Sequence, residues 1–216
     1  SYLQDWLSRE EDTKANRQAS WRSDPKSSGE SGAFSDIGTH AFNLVEFMTG
    51  LRMTEVAAEL RTVVAGRAID DDGAAMFRLA NGASGLLSAS QVCSGAVNGL
   101  KIEVYGSRAS IHWQQEEPNT MVIKTRGEPD QVLKAGANMA YLSPEAVAVC
   151  RTPGGHPEGY IEAFANLYGA FARAIREFPA RSVAAGIASV EDGVAAMKFI
   201  RAVINSSRNN SEWTRI

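Results

Sequence analysis

Three histidines, two cysteines and seven prolines in 216 residues leave this chain poor in the residues that most often carry metal, disulfide and rigid-turn chemistry. Cys93 and Cys150 are too few for a disulfide framework and form no CxxC pair, which fits core thiols in a reducing, cytoplasmic compartment. Positive charge is not in surplus. Lys and Arg number 22 against 25 Asp and Glu, a net charge of -3, so nothing is left over to neutralise phosphates or anionic lipid, and neither nucleic acid nor a membrane is expected as partner. No apolar run nears the ~18 residues of a spanning helix. The opening SYLQDWLSREED has neither the basic nor the apolar part of a signal peptide. HExxH, GxSxG and GxxxxGK[ST] are absent throughout. With 44% hydrophobic and 22% charged residues, the chain has the composition of a folded globular domain.

Residues 2–7 read as a short strand, and Ser8 to Gly32 as a long polar loop around Trp21, long enough to cover a site. From Ile37 to Met48 apolar residues recur at three- and four-residue steps. Gly50 follows where a C-cap belongs, and Ser35 or Asp36 stands near the N-cap, which predicts an amphipathic helix. The texture then changes. Thr54–Val64, Ala74–Ala80, Ser84–Val92, Leu100–Tyr105, Ala109–Trp113 and Met121–Thr125 read as strands separated by turn signals, among them Asn81-Gly82, the strongest short hairpin signal. Strands this close, without intervening helices, predict an antiparallel sheet. The acidic turn Asp70-Asp71-Asp72-Gly73 lacks the spaced oxygens of a calcium loop and reads as solvated. After an irregular stretch from Gly136 to Gly159, two apolar stripes predict helices. The first runs from Ile161 through Phe164, Leu167, Tyr168, Phe171 and Ile175 to Phe178, ended by Pro179. The second takes in Val194, Met197, Ile200, Ala202, Val203 and Ile204, opened by Ser189 with Asp192 three residues on. The class is α+β: residues 1–216 as one domain with a large open, mostly antiparallel sheet and helices packed on one face. The other sheet face is left for solvent or a second subunit.

Asp36 and His40, four residues apart at the start of a helix, place a carboxylate and an imidazole one turn apart on one face. That pairing makes a proton donor or acceptor that works near neutral pH. Gly32 and Gly38 beside it permit close backbone approach. His112, beside Trp113 in a strand, reads as structural, and His156 as a loop residue before Tyr160.

The order Tyr2-Leu3-Gln4-Asp5-Trp6-Leu7, then Trp21-Arg22, then Gly29 to His40 resembles the second domain of the Gfo/Idh/MocA oxidoreductases. The likeness continues through Leu100 to Ile111, with Arg108-Ala109 where that family usually has glycine, and through His156 to Tyr160, Ala163 to Tyr168 and Glu191-Asp192-Gly193. The resemblance implies a C-terminal substrate-binding and oligomerisation domain. It further implies a separate N-terminal Rossmann domain that binds NAD or NADP. The glycine fingerprint and the Glu-Lys-Pro segment of that domain do not occur here, and the abrupt start at Ser1 agrees with its absence. Carried over by position, the resemblance implies that His40 exchanges the proton of a sugar or polyol hydroxyl while hydride passes between substrate carbon and nicotinamide. Asp36 would orient and polarise. Gln4, Trp6, Arg22, Tyr160 and His156 would contact the substrate, and Arg22 the cofactor as well. A homo-oligomer, dimer or tetramer, would form through the sheet face. Two other readings remain open at this point: a metal-dependent isomerase or lyase using Asp36, His40 and His156, and a non-catalytic assembly module.

Overall fold

A computed structural model of the chain describes residues 1–177 and 187–216, so Phe178 and Pro179 of the expected helix end lie outside the described residues. The fold is α+β on a mostly antiparallel sheet with nine strands among the described residues. The chain divides into two compact units, Ser1–Ile102 with Asp192–Ile216, and Glu103–Glu191.

In the first unit, strand β1 (Tyr2–Leu3) is followed by three short helices, α1 (Glu10–Ala15), α2 (Arg17–Arg22) and α3 (Pro25–Ser28), in place of the expected irregular loop. Their starts are coded locally. The Asn16 side chain accepts from the Gln18 backbone N–H at 2.8 Å, and Asp24 accepts from Lys26 N–H at 3.0 Å with Pro25 in the first turn. A π-helical turn (Phe34–Gly38) then runs into α4 (Thr39–Thr49), which ends at Gly50 in the left-handed region (φ 66°), as its C-cap position predicts.

Strands β2 (Met53–Arg61), β3 (Asp72–Leu79) and β4 (Ser84–Ser90) form an antiparallel meander, β3 turning into β4 through Asn81-Gly82. Strand β5 (Gly99–Tyr105) completes the pattern with a departure from a pure meander. The two residues of β1 insert between β4 and β5, parallel to the first and antiparallel to the second, giving the order β5-β1-β4-β3-β2-β9 with β9 (Thr214–Arg215) at the edge.

Alternation sorts the two faces of this sheet. Val56 opposite Phe77, and Ala58 opposite Ala75, which in turn faces Leu87, point inward and are buried. Gly85 lies directly under the Phe77 ring, where a Cβ would overlap it. On the other face Met76 sits opposite Leu86, and Glu55 pairs with Arg78 at 2.8 Å. The inner face is covered by the π-turn, α4 and the C-terminal half of α7 (Val190–Arg208), through Phe34, Phe42 and Phe199; the Phe42 and Phe199 rings stack at 4.5 Å between centroids. Ile200, Ala202, Val203 and Ile204 are buried as their stripe predicts, whereas Val194 and Met197 are exposed.

In the second unit, β6 (Ala109–Gln114), β7 (Thr120–Thr125) and β8 (Gln131–Lys134) form an antiparallel meander, followed by α5 (Pro144–Val149) and α6 (Tyr160–Arg176). β8, four residues long, and α5, six residues long, are too short to stand out from their surroundings in the sequence. The apolar stripe of α6 exists as predicted but is exposed, with Ile161 at 78% and Phe171 at 65% accessibility. Among the described residues no helix is long and apolar enough to cross a membrane.

Candidate active site

The acidic turn is not solvated, and this correction builds the site. Asp70 and Asp71 are 8% and 2% exposed. One oxygen of Asp70 accepts from the Gly32 N–H at 2.8 Å and the other from Phe34 N–H at 3.0 Å, while its carbonyl accepts from Ala33 N–H at 2.9 Å. A buried carboxylate thus takes up donors that the first turn of the π-turn and α4 segment leaves without intrahelical partners. Burial pushes the Asp70 carboxyl above its ordinary value, opposed by the hydrogen bonds from the Phe34 and Gly32 backbone. The approach is so close that a Cβ on Gly32 would overlap the Asp70 carbonyl oxygen.

Asp71 accepts from Val63 and Val64 N–H and pairs with Arg67 at 3.1 Å. Arg67 in turn donates to the carbonyls of Leu7 and Arg9, fastening the segment that leads from β1 to α1. Charged residues are buried here because each finds a partner, Asp70 and Asp71 in backbone N–H groups and Asp71 also in Arg67 four residues before it, which composition does not reveal.

On this frame stand the side chains that the sequence points to. Asp36 lies inside the π-turn, a geometry in which an extra residue per turn re-aims side chains. Both of its oxygens are engaged: Oδ1 accepts from Arg22 Nε at 3.1 Å and Oδ2 from Gln91 Nε2 at 2.7 Å. Arg22 ends α2, donates also to the Gln18 side chain at 2.8 Å, and places its guanidinium 4.2 Å from the Trp21 ring centre and 5.8 Å from that of Trp6.

Trp6 donates from its indole to Gln4 Oε1 at 2.9 Å, and Gln4 Nε2 donates to Asn98 Oδ1 at 3.2 Å, the same atom that accepts from the Tyr2 hydroxyl at 2.6 Å. The Tyr2 ring meets the exposed His40 imidazole edge-on at 6.0 Å. Gln4, Trp6, Arg22 and Asp36 are therefore joined through direct contacts, and His40 flanks them from the first turn of α4. Asp36 turns its oxygens to Arg22 and Gln91, and no hydrogen bond between Asp36 and His40 occurs among the described residues.

His156 and Tyr160 belong to the second unit. His156 Nδ1 faces the Pro153 carbonyl at 3.2 Å, and Tyr160 begins α6, 78% exposed and tilted on Phe164 at 4.8 Å. The loop before them is gathered on Glu158, whose Oε1 accepts from Arg151 N–H at 2.6 Å and from Thr152. Burial pushes the Glu158 carboxyl up, but the hydrogen bonds from Thr152 and Arg151 outweigh it and hold it below the ordinary value. His112 sits between Ser110 at 3.0 Å and Glu103 at 3.7 Å, in keeping with its structural reading.

Sequence reasoning missed Gln91, Asn98 and Tyr2. Their partners lie 55, 96 and 94 or more positions away, and no local signal marks them. Among the described residues no three His, Cys, Asp or Glu side chains converge as a metal site would require. Among the described residues no strand leads through a glycine-rich turn into a helix N-terminus, the arrangement that seats a pyrophosphate.

Comparison with known proteins gives the family. The profile of the GFO/IDH/MocA C-terminal domain matches residues 1–112. The chain belongs to the GFO/IDH/MocA family. It is 29% identical to the uncharacterized oxidoreductase YfiI of Bacillus subtilis over 98% of its own length and 55% of that protein. It is 28% identical to a levoglucosan dehydrogenase of Pseudarthrobacter phenanthrenivorans over 67% of this chain and 40% of the enzyme. An inositol dehydrogenase homolog from Azotobacter vinelandii, complexed with NAD+, superposes with a TM-score of 0.92 at 32% identity, covering all of this chain and 56% of that one. The same homolog complexed with NADH and myo-inositol gives 0.87 at 31% identity. The chain thus spans about half the length of the oxidoreductases it matches.

Proposed function

We propose that this chain is the substrate-binding and oligomerising C-terminal domain of a cytoplasmic NAD(P)-dependent oxidoreductase acting on a sugar or polyol, with His40 as acid/base and Asp36 assisting it. The observation that carries the reading is Asp36 fixed on both oxygens one turn before an exposed histidine. A carboxylate held this way keeps one orientation and still has lone pairs free to accept from a substrate hydroxyl. His40, with its ring against Tyr2, takes the hydroxyl proton in the oxidative direction and returns it in the reductive one.

Gln4, Trp6 and Arg22 offer amide, indole and guanidinium groups beside Asp36, directional donors and a flat apolar ring suited to a hydroxyl-rich ligand. His156 and Tyr160 are assigned to the same substrate by their positions in the family pattern, and Arg22 to the cofactor as well. The nicotinamide cofactor is assigned mainly to a separate N-terminal Rossmann domain, a reading supported by the inositol dehydrogenase homolog solved with NAD+ and with NADH, of which this chain covers about half. The assignment to a sugar or polyol is supported by relatives named for levoglucosan and inositol. Exposed Met76 and Leu86 on the sheet face support a homo-oligomer through that face. Both cysteines are free, in keeping with a reducing compartment.

The test is His40→Ala in the full-length protein, assayed by nicotinamide absorbance against a panel including myo-inositol and levoglucosan. Turnover falls by about 100-fold or more, as expected for loss of a general acid/base, with the melting midpoint unchanged. Turnover equal to that of the unsubstituted protein refutes the role of His40.

A further inference from the structure

We propose that Gln91 is the positioning residue for Asp36, a role that rests on the function proposed above. Asp36 has two holders, and they differ in kind. Arg22 sits at the end of a six-residue helix, a quarter exposed, and shares its guanidinium with Gln18. Gln91 is 2% exposed and its main chain is fixed on both sides: its N–H donates to the Asp71 carbonyl at 2.9 Å, and its carbonyl accepts from Leu7 N–H at 3.1 Å. Asp71 is itself held by Arg67 and by two backbone N–H groups. The 2.7 Å bond from Gln91 Nε2 to Asp36 Oδ2 therefore joins the carboxylate to a buried, hydrogen-bonded frame, while Arg22 closes from the exposed side.

A neutral amide suits this position. It fixes the plane of the carboxylate and donates to the ionised form without adding a second full charge beside Arg22. Nothing else on the buried side of Asp36 sets that plane among the hydrogen bonds of the described residues. An apolar residue at position 91 leaves Oδ2 without its donor and Asp36 free to rotate toward Arg22.

The experiment is a double-substitution cycle in the full-length protein with NAD+ or NADP+ and the myo-inositol and levoglucosan panel, reading kcat and KM separately. Gln91→Met, close in size, lowers kcat by about 10- to 100-fold with little change in KM, the size of loss that misplacing a reacting group produces. In an Asp36→Asn background the same substitution produces no further loss, because the group it acts through is already gone. Gln91→Glu keeps the shape and sets a second carboxylate against Asp36. The two share a proton, and the acid limb of the rate profile moves to higher pH by about a unit or more.

Unchanged kcat in Gln91→Met overturns the inference, as does an equal loss in both backgrounds, the signature of a merely structural residue. An unmoved profile in Gln91→Glu overturns it as well, and that variant decides the matter if Gln91→Met does not fold. If Asp36→Asn itself retains full turnover, or if the unsubstituted protein turns over no member of the panel, the proposed function fails. Those outcomes are distinct from the ones that remove Gln91 alone.

Discussion

Replacing Asp70 by alanine removes the acceptor for two buried backbone N–H groups at the start of the segment that carries Asp36 and His40. A buried donor left without a partner costs about 1–3 kcal/mol, so two cost about 2–6 kcal/mol. The carboxylate does not deliver all of this as a net gain, because burial disfavours its ionised form and raises its pKa above the ordinary 3.8. We expect a net loss of about 2–4 kcal/mol near neutral pH. The pH dependence has a definite sign. A carboxyl whose folded pKa lies above its unfolded value holds its proton more tightly in the folded state. Its contribution is full below the unfolded pKa and declines as pH rises through the raised value. The stability gap between the unsubstituted protein and Asp70→Ala is therefore larger at about pH 4 than at about pH 7. Asp70→Asn, which keeps one carbonyl acceptor, loses about half as much. Urea unfolding followed by far-ultraviolet circular dichroism at both pH values measures the gap. A gap that widens toward neutral pH refutes the reasoning, for it means that the ionised form is favoured in the fold.

Two further perturbations address the frame and the core. Arg67→Met leaves the Asp71 carboxylate, 2% exposed, without its cation and with only the Val63 and Val64 N–H groups, and removes the donor to the Leu7 and Arg9 carbonyls; a loss of about 3–5 kcal/mol is expected, seen as a melting midpoint lower by about 6–20 °C, and a shift under 2 °C counts against it. Phe199→Ala opens a cavity between Phe34 and Phe42 and costs about 3–5 kcal/mol in urea unfolding, with Phe199→Leu losing clearly less; equal losses refute the stacking account.

What could be read from the sequence was what neighbours in the chain decide. Asn81-Gly82 fixed its hairpin because the turn needs a residue at positive φ, and Gly82 stands at 88°. Gly50 ended its helix for the same reason. The spacing of Asp36 and His40 placed both at one helix start, although the π-turn between them was not foreseen, since it depends on how Phe34 and Gly38 pack against the sheet. The helices within residues 8–32 had local signals in Asn16 and in Asp24-Pro25, which the polar composition masked. The acidic turn was misread for a different reason. Asp70 is buried by backbone donors 36 and 38 residues away, which no local pattern reveals, and Asp71 by Arg67, whose four-residue spacing gives no sign by itself that both side chains are buried. Gln91 and Asn98 share that obscurity, because Gln91 becomes a site residue only when the π-turn packs beside the end of β4, and Asn98 only when the β1 segment brings Tyr2 and Gln4 to it.

The π-turn has a consequence for how this site tolerates length changes. A regular α-helix advances each residue by about 100° around its axis, and a π-turn holds one residue more than that count allows. Deleting a single residue within Phe34–Gly38 would restore an ordinary helix and turn everything before the deletion by about 100° against α4. Gly32 and Phe34 would then face away from Asp70, or Asp36 away from Gln91, depending on which side gives. The site is thus set by a count of residues as much as by their identities: each substitution discussed above removes the contacts of one side chain, whereas one residue more or fewer between Phe34 and Gly38 would misalign the Asp70 and Gln91 contacts together.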